Sequence, residues 1–123
     1  MTIKFTKYLP YLLSYTDEMG IDTGGYVSGL IVRIRPKYKD DKGIHEHECW
    51  HIVQRYMTLG FHGLIKKLSK TYATWAEVSA YKKQLRYPPA TSNLDYYRQM
   101  YAGFIATRYG LGITAGEAVK RLS

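Results

Sequence analysis

Three of the four histidines of this 123-residue chain fall within seven positions, in the stretch Ile44-His45-Glu46-His47-Glu48-Cys49-Trp50-His51-Ile52-Val53-Gln54. Inside it, His47-Glu48-Cys49-Trp50-His51 reads H-E-x-x-H. On a helix, residues four apart lie one turn above each other on one face. Two imidazoles so placed can hold a single metal ion, and Glu48 beside the first can take a proton from a water there. Only this register works, because a motif starting at His45 would need a histidine where Cys49 stands. Cys49 is two residues from His47, so it lies on another side of the helix and is not expected to share their metal. The plainer reading is that His47 and His51 are ordinary helix histidines with hydrogen-bonded partners, in a pentapeptide that arose by chance.

A zinc site needs a third protein ligand and one open position. The longer pattern H-E-x-x-H-x-x-G-x-x-H fails, since Gln54 occupies the glycine position and Met57 that of the last histidine. His62 follows the helix-ending Gly60 and is a poorer candidate than Glu77, in Thr74-Trp75-Ala76-Glu77-Val78-Ser79-Ala80-Tyr81. A second helix packed against the first can aim Glu77 at the metal, and Ala80 one turn on is small enough for close approach. Thr74-x-x-Glu77 is equally a capping box, in which Glu77 would bond the backbone of Thr74. The residues alone leave these two roles open.

The elements that must position this cluster are legible from pattern. Residues 2–15 start as a strand (Ile3, Phe5) and should break or bend at Pro10, which suits neither a central strand nor a helix. Residues 16–25, with Gly20, Gly24 and Gly25, form a loop. Tyr26 to Arg35 reads as one strand, with Leu30, Val32 and Ile34 on its core face and Pro36 at its end. Asp40 or Asp41 caps the motif helix, which runs from about Ile44 to Leu59 and is closed by Gly60. It is apolar on several sides and should be largely buried, with Cys49, Trp50, Val53 and Met57 facing away from the histidines. Residues 61–70 are a short amphipathic helix with Phe61, Leu64, Ile65 and Leu68 inside. Another runs from Thr74 to about Arg86 and is stopped by Pro88-Pro89. A third spans 93–109, burying Leu94, Tyr97, Met100 or Tyr101, Phe104 and Ile105, and Gly110 stops it. Thr114-x-x-Glu117 caps a last helix through Leu122.

Composition fits one globular domain, residues 1–123, with a single core: 46% of residues are hydrophobic. The 13 tyrosines suggest half-buried rings around a cleft. Lysine plus arginine (18) exceeds aspartate plus glutamate (10), giving +8. Such a surface could meet nucleic acid. The charges are scattered along the chain and form no basic tail, so nucleic acid is a disfavoured partner. A single cysteine excludes an internal disulfide. The apolar run Leu9 to Leu13 is too short for a membrane span, and the reading is a soluble cytoplasmic protein with no membrane partner.

His47-Glu48-Cys49-Trp50-His51, then Ile52-Val53-Gln54, Leu59-Gly60 and Glu77-x-x-Ala80-Tyr81, together resemble the smallest gluzincin metallopeptidases, the minigluzincins. Similar short proteins are common in bacteriophages, for which the compartment would be the host cytoplasm. The resemblance covers residues 26–122, most specifically 47–81. It implies an α+β, zincin-like fold: a short N-terminal sheet, then a helical bundle carrying the zinc-binding helix and a glutamate ligand on the next long helix. It favours His47, His51 and Glu77 as ligands of Zn²⁺, with Glu48 as the proton-transferring base and a protein or peptide as substrate. It also implies that the Tyr26–Arg35 strand edges the cleft and pairs with an extended substrate. This chain departs from the pattern in having Glu46 just before the motif, which would set an extra charge beside the cleft. The oxyanion donor is open among Tyr81, Tyr72, Tyr87, His45 and His62, whereas Trp50 and Tyr56 read as core. Two other functions remain in view. One is a catalytically silent zincin-fold zinc protein acting through protein–protein contacts, and the other is a basic nucleic-acid-binding protein whose motif is accidental.

Overall fold

Period-2 patterning at the N-terminus and 3.6-residue patterning afterwards divide the chain into a sheet followed by helices. The computed structural model describes residues 2–6, 9–21, 23–87 and 93–123. Its strands are β1 (Thr2–Thr6), β2 (Leu9–Tyr15), β3 (Gly25–Ser28) and β4 (Ile31–Ile34), and a 3₁₀ turn spans Pro36–Tyr38. The helices are α1 (Lys42–Met57), α2 (His62–Leu68), α3 (Lys70–Leu85), α4 (Leu94–Arg108) and α5 (Ala115–Leu122). The chain is thus mixed α/β, with a four-stranded sheet and five helices among the described residues. None of these helices is long and apolar enough to cross a membrane.

The sheet order is β1-β2-β4-β3. β2 and β4 are parallel neighbours, and the outer pairs are antiparallel. Alternate residues Tyr11, Leu13, Val32 and Ile34 line one face and bury against Ile52 of α1. A second core lies between α3, α4 and α5, around Tyr81, Leu85, Tyr101, Ala102, Ile105 and Leu122. α1 stands between the sheet and the α3 layer.

Several expectations need correction. Pro10 is inside β2, paired with Phe5 of β1. It is tolerated because β4 joins the other side of β2 only from Leu12 onward, so no ladder there needs the missing N–H. The Tyr26–Arg35 run is two strands, folded back on each other at Gly29-Leu30. Gly29 takes φ +60°, the left-handed conformation that a two-residue hairpin turn requires, and Leu30 is thereby exposed in the turn. α2 is turned the opposite way from its apolar pattern. His62 is 2% exposed while Phe61, Leu64 and Leu68 face out, Leu68 at 79%. His62 and Lys66, four residues apart, point instead at His51 and at Glu77. Leu94 is exposed, since α4 joins the core only from Tyr97 onward. The Pro88-Pro89 stop lies outside the described residues.

The caps follow side-chain chemistry. Asp41 accepts from the Ile44 N–H at 3.2 Å, Asn93 from Tyr96 at 3.0 Å and Thr114 from Glu117 at 3.1 Å. α3 starts a turn earlier than its Thr74 signal, because Ser69 takes the Tyr72 N–H at 3.2 Å.

Gly43 fixes how closely α1 approaches α3. A Cβ there would lie 2.7 Å from the Tyr87 carbonyl oxygen and 3.0 Å from that of Gln84. Both are backbone atoms, one in the last turn of α3 and one just past it, and neither can give way as the tip of a side chain would. Gly43→Ala is expected to destabilise by about 1–2 kcal/mol even after the gain in helix propensity, read as a lower urea midpoint at unchanged slope. Gly103→Ala in α4 is the control. A Cβ there meets nothing within 4 Å, so only the propensity gain, up to about 1 kcal/mol of added stability, should appear.

Candidate metal centre

α1 and α3 run antiparallel. Gly43 meets Gln84 and Tyr87 at one end, and Gln54 reaches Ala76 and Ser79 at the other. Ala76 and Ala80, both fully buried, keep the layer between the helices thin. Across it, Glu77 of α3 meets the two motif histidines of α1. Its Oε1 is 3.4 Å from His51 Nε2, and its Oε2 is 3.9 Å from His47 Nε2. One ligand atom from each of the three side chains lies within 4.8 Å of the others. Bonds of about 2.1 Å to a tetrahedral metal place ligand atoms about 3.4 Å apart, so a contraction of at most about 1.4 Å completes the set. Glu48 stands alongside, with Oε1 4.0 Å from His47 Nε2.

Two observations show that these residues suit a cation. Glu77 is 2% exposed, yet its Oε2 has no hydrogen-bond donor. A buried carboxylate oxygen without a donor is strongly unfavourable unless a positive group serves it. The second observation is the tautomer of His51. Gln54 donates its amide N–H to the Ala76 carbonyl at 3.2 Å and to Ser79 Oγ at 3.1 Å, which turns its oxygen toward His51 Nδ1 at 2.8 Å. That oxygen can only accept, so Nδ1 carries the proton and Nε2 faces Glu77 with a free lone pair in the neutral ring. His47 is less completely served: its Nδ1 is buried without a partner, and Gln84 is the nearby polar group.

The electrostatics are those of a compressed cluster. Burial, aided by the charge of His51, pushes the His47 pKa down to about 3. Burial pushes Glu48 up to about 7. Burial would raise Glu77 as well, but His51 by charge and hydrogen bond, then Lys66 and His47, hold it well below the usual carboxylate range. His51 is opposed by burial and raised by Glu77 and Glu48. Lys66 Nζ sits 2.9 Å from Glu77 Oε1.

Two recesses open at the site. A cleft of about 760 Å³ is lined by Tyr26, Tyr38, Tyr97, Tyr101 and other rings, the tyrosine-lined cleft that composition suggested. A smaller recess of about 180 Å³ lies on the α2 side. His47, Glu48, Gly25, Tyr26 and Tyr109 line both.

The structure therefore brings together all four expected residues: His47, Glu48, His51 and Glu77. It overturns the capping role for Glu77, which lies mid-helix while Ser69 caps α3. Glu46 lines neither recess. Its charge acts on Tyr11 and Cys49 on the sheet side, because α1 turns it away from Glu48. Cys49 stays apart from the histidines, with its Sγ 3.2 Å from the Tyr11 hydroxyl. Trp50 and Tyr56 are structural, donating to Ser79 Oγ and to the Pro10 carbonyl. Among the open oxyanion candidates, His45 is held at the Lys39 carbonyl, Tyr87 lies over Lys42, and Tyr72 bonds His62. Tyr81 stacks edge-on to His47 at 4.4 Å and bonds the Tyr109 hydroxyl at 2.8 Å. Tyr109, Gln54 and Lys66 were not identifiable from spacing. Gln54 carried a faint signal, as the polar residue three past His51 inside a buried helix. No protein-family model, curated protein or solved structure matches the chain.

The Gln54 relay has a measurable consequence. Gln54→Leu keeps the volume but removes the acceptor for His51 Nδ1–H, and zinc affinity by chelator competition is expected to fall about 10–100-fold. Gln54→Glu, which still accepts that proton, should recover part of the loss. Equal affinity in all three proteins would show that the relay does not orient the ligand.

Proposed function

We propose that the chain is a zinc metallopeptidase of zincin-like fold and gluzincin ligand set, hydrolysing peptide bonds in a protein or peptide substrate. One observation carries this reading: His47, His51 and Glu77 converge from two helices with Glu48 beside them, all buried at the junction of two recesses. A metal-binding group of this kind is compatible with several ions. The mix of two imidazoles and one carboxylate is a common catalytic zinc set.

His47 Nε2, His51 Nε2 and a Glu77 oxygen would hold the ion. Zinc, when bound, supplies Lewis acidity that polarises the scissile carbonyl and brings the pKa of water toward neutrality. The chain supplies the rest. Glu48, its pKa pushed up by burial to about 7, is suited to accept a proton from the attacking water and return it to the leaving amine near neutral pH. Tyr109 lines both recesses, and burial raises its pKa, so it stays a protonated donor for the oxyanion. β3 is a sheet edge, and its Gly25 and Tyr26 line both recesses. Its free backbone groups offer an extended peptide a partner strand. Only β3, not the whole Tyr26–Arg35 run, has this edge, since β4 is flanked on both sides.

A second reading has its own observation. Lys66 already gives Glu77 a cationic partner at 2.9 Å, as in a site whose charge is balanced without metal-driven turnover, in a zincin-like protein that acts by binding. Metal content and turnover separate the two. Mass spectrometry of the parent should find near one zinc per chain, and Glu77→Ala much less. Glu48→Gln should keep the zinc and lose about 10²–10⁴-fold in peptide hydrolysis. Full occupancy with no cleavage of a peptide library would select the binding protein.

A further inference from the structure

The smaller recess is lined by two cations, Arg55 and Lys66, and by the two acids of the metal-binding group, Glu48 and Glu77. Arg55 follows His51 by four residues, so α1 presents His47, His51 and Arg55 as successive turns of one face. Its guanidinium lines the α2-side recess. Nε is buried without a partner, and Nη2 makes one long bond, 3.4 Å, to the Val27 carbonyl of β3. Among the described residues no carboxylate comes within salt-bridge distance of it. A partly buried guanidinium lacking a counter-ion is unfavourable, because arginine cannot shed its charge.

Lys66 is the second cation of the recess. Its partner is Glu77, whose carboxylate belongs to the metal-binding group and cannot give its full charge to both. Glu48, the other acid there, also belongs to that group. The remaining basic group, His62, bonds Tyr72 at 2.8 Å and is pushed down to about 4, by burial first and then by the charges of His51, Lys66 and Arg55, so it adds no charge near neutrality. Arg55 and Lys66 thus stand beside the metal-binding group in one recess of about 180 Å³, room for a single side chain or chain end next to that group. Val27, which holds Arg55, is on the edge strand. A peptide extended along β3 therefore delivers a group into this recess.

We infer that Arg55 and Lys66 form a subsite for a carboxylate of the substrate peptide, either an acidic side chain or the C-terminal carboxylate. A guanidinium fork with an ammonium beside it suits a planar carboxylate. The word substrate rests on the metallopeptidase reading. The carboxylate site itself does not.

The test reads binding, not turnover. Three capped peptides of otherwise identical sequence are titrated calorimetrically into zinc-loaded Glu48→Gln protein. One has a glutamate side chain with an amidated C-terminus, one has glutamine with a free C-terminus, and one has glutamine with an amidated C-terminus. One of the two acidic peptides is expected to bind about tenfold tighter than the neutral one, equivalent to about 1.4 kcal/mol, and which one does so identifies the source of the carboxylate. Adding Arg55→Gln should abolish that preference, and Arg55→Lys or Lys66→Gln should reduce it. The Lys66 variant serves if the Arg55→Gln protein does not fold. Three peptides that bind alike, or not at all, or a preference that survives both Arg55→Gln and Lys66→Gln, would overturn the subsite. Carboxylate preference in binding without hydrolysis by the parent enzyme would sink the peptidase reading alone. Hydrolysis without that preference would sink the subsite alone.

Discussion

The close antiparallel contact between α1 and α3 is the constraint from which the site follows. A carboxylate on one helix and two imidazoles on another share a buried layer here because the two backbones approach closely. Gly43, Ala76 and Ala80 provide that approach, and backbone oxygens of Gln84 and Tyr87 already stand where a side chain of residue 43 would begin. The sheet holds α1 from the opposite side through Ile52, against Val32 and Ile34. α4 and α5 hold α3 through Tyr81 and Leu85. Each helix is fixed by its own core, and the polar cluster occupies the seam between the two.

That seam concentrates ionisable groups that water would otherwise solvate. Their mutual arrangement answers most of the desolvation. Glu77 is kept ionised by His51 and Lys66, His51 is kept ready to protonate by Glu77, and His47 is driven neutral by burial. Of the four buried side-chain polar atoms left without a partner among the described residues, three lie here, Glu77 Oε2 and His47 Nδ1 within the cluster and Arg55 Nε beside it, and the fourth is Arg98 Nε on α4. Orphaned polar atoms concentrated at one place point to function, because a core under selection for stability alone would have found partners for them.

Much of this was legible from residue order. The helix carrying His47 and His51, its aspartate cap and the final helices follow from spacing, because those signals are local or repeat with helical period, whereas spacing left Glu77 open between a cap and a ligand and only the family resemblance favoured the ligand. The failures are physical in kind. The hairpin at Gly29 was missed because alternation continued across it, and only the backbone conformation of one glycine breaks the strand. Pro10 was read without knowing which side of β2 is paired. The orientation of α2 was misjudged because hydrophobic pattern predicts burial only when no stronger tertiary demand competes. Here the buried His62 and the Lys66–Glu77 pair outweigh three apolar side chains left in water. Gln54 and Tyr109 act through tertiary hydrogen bonds, which leave no mark on sequence periodicity.

The relay that fixes the ring of His51 ends on Ser79 Oγ and on the carbonyl of Ala76, the second a main-chain atom present whatever side chain stands at position 76. Its chemistry therefore cannot be erased by an inherited substitution there. A change that rotates or shifts α3, or one at Gln54 or Ser79, can rewrite it. The proton assignment of a candidate metal ligand is in this way encoded in the pose of a helix, and it would persist through sequence drift at residue 76 for as long as the two helices keep their spacing.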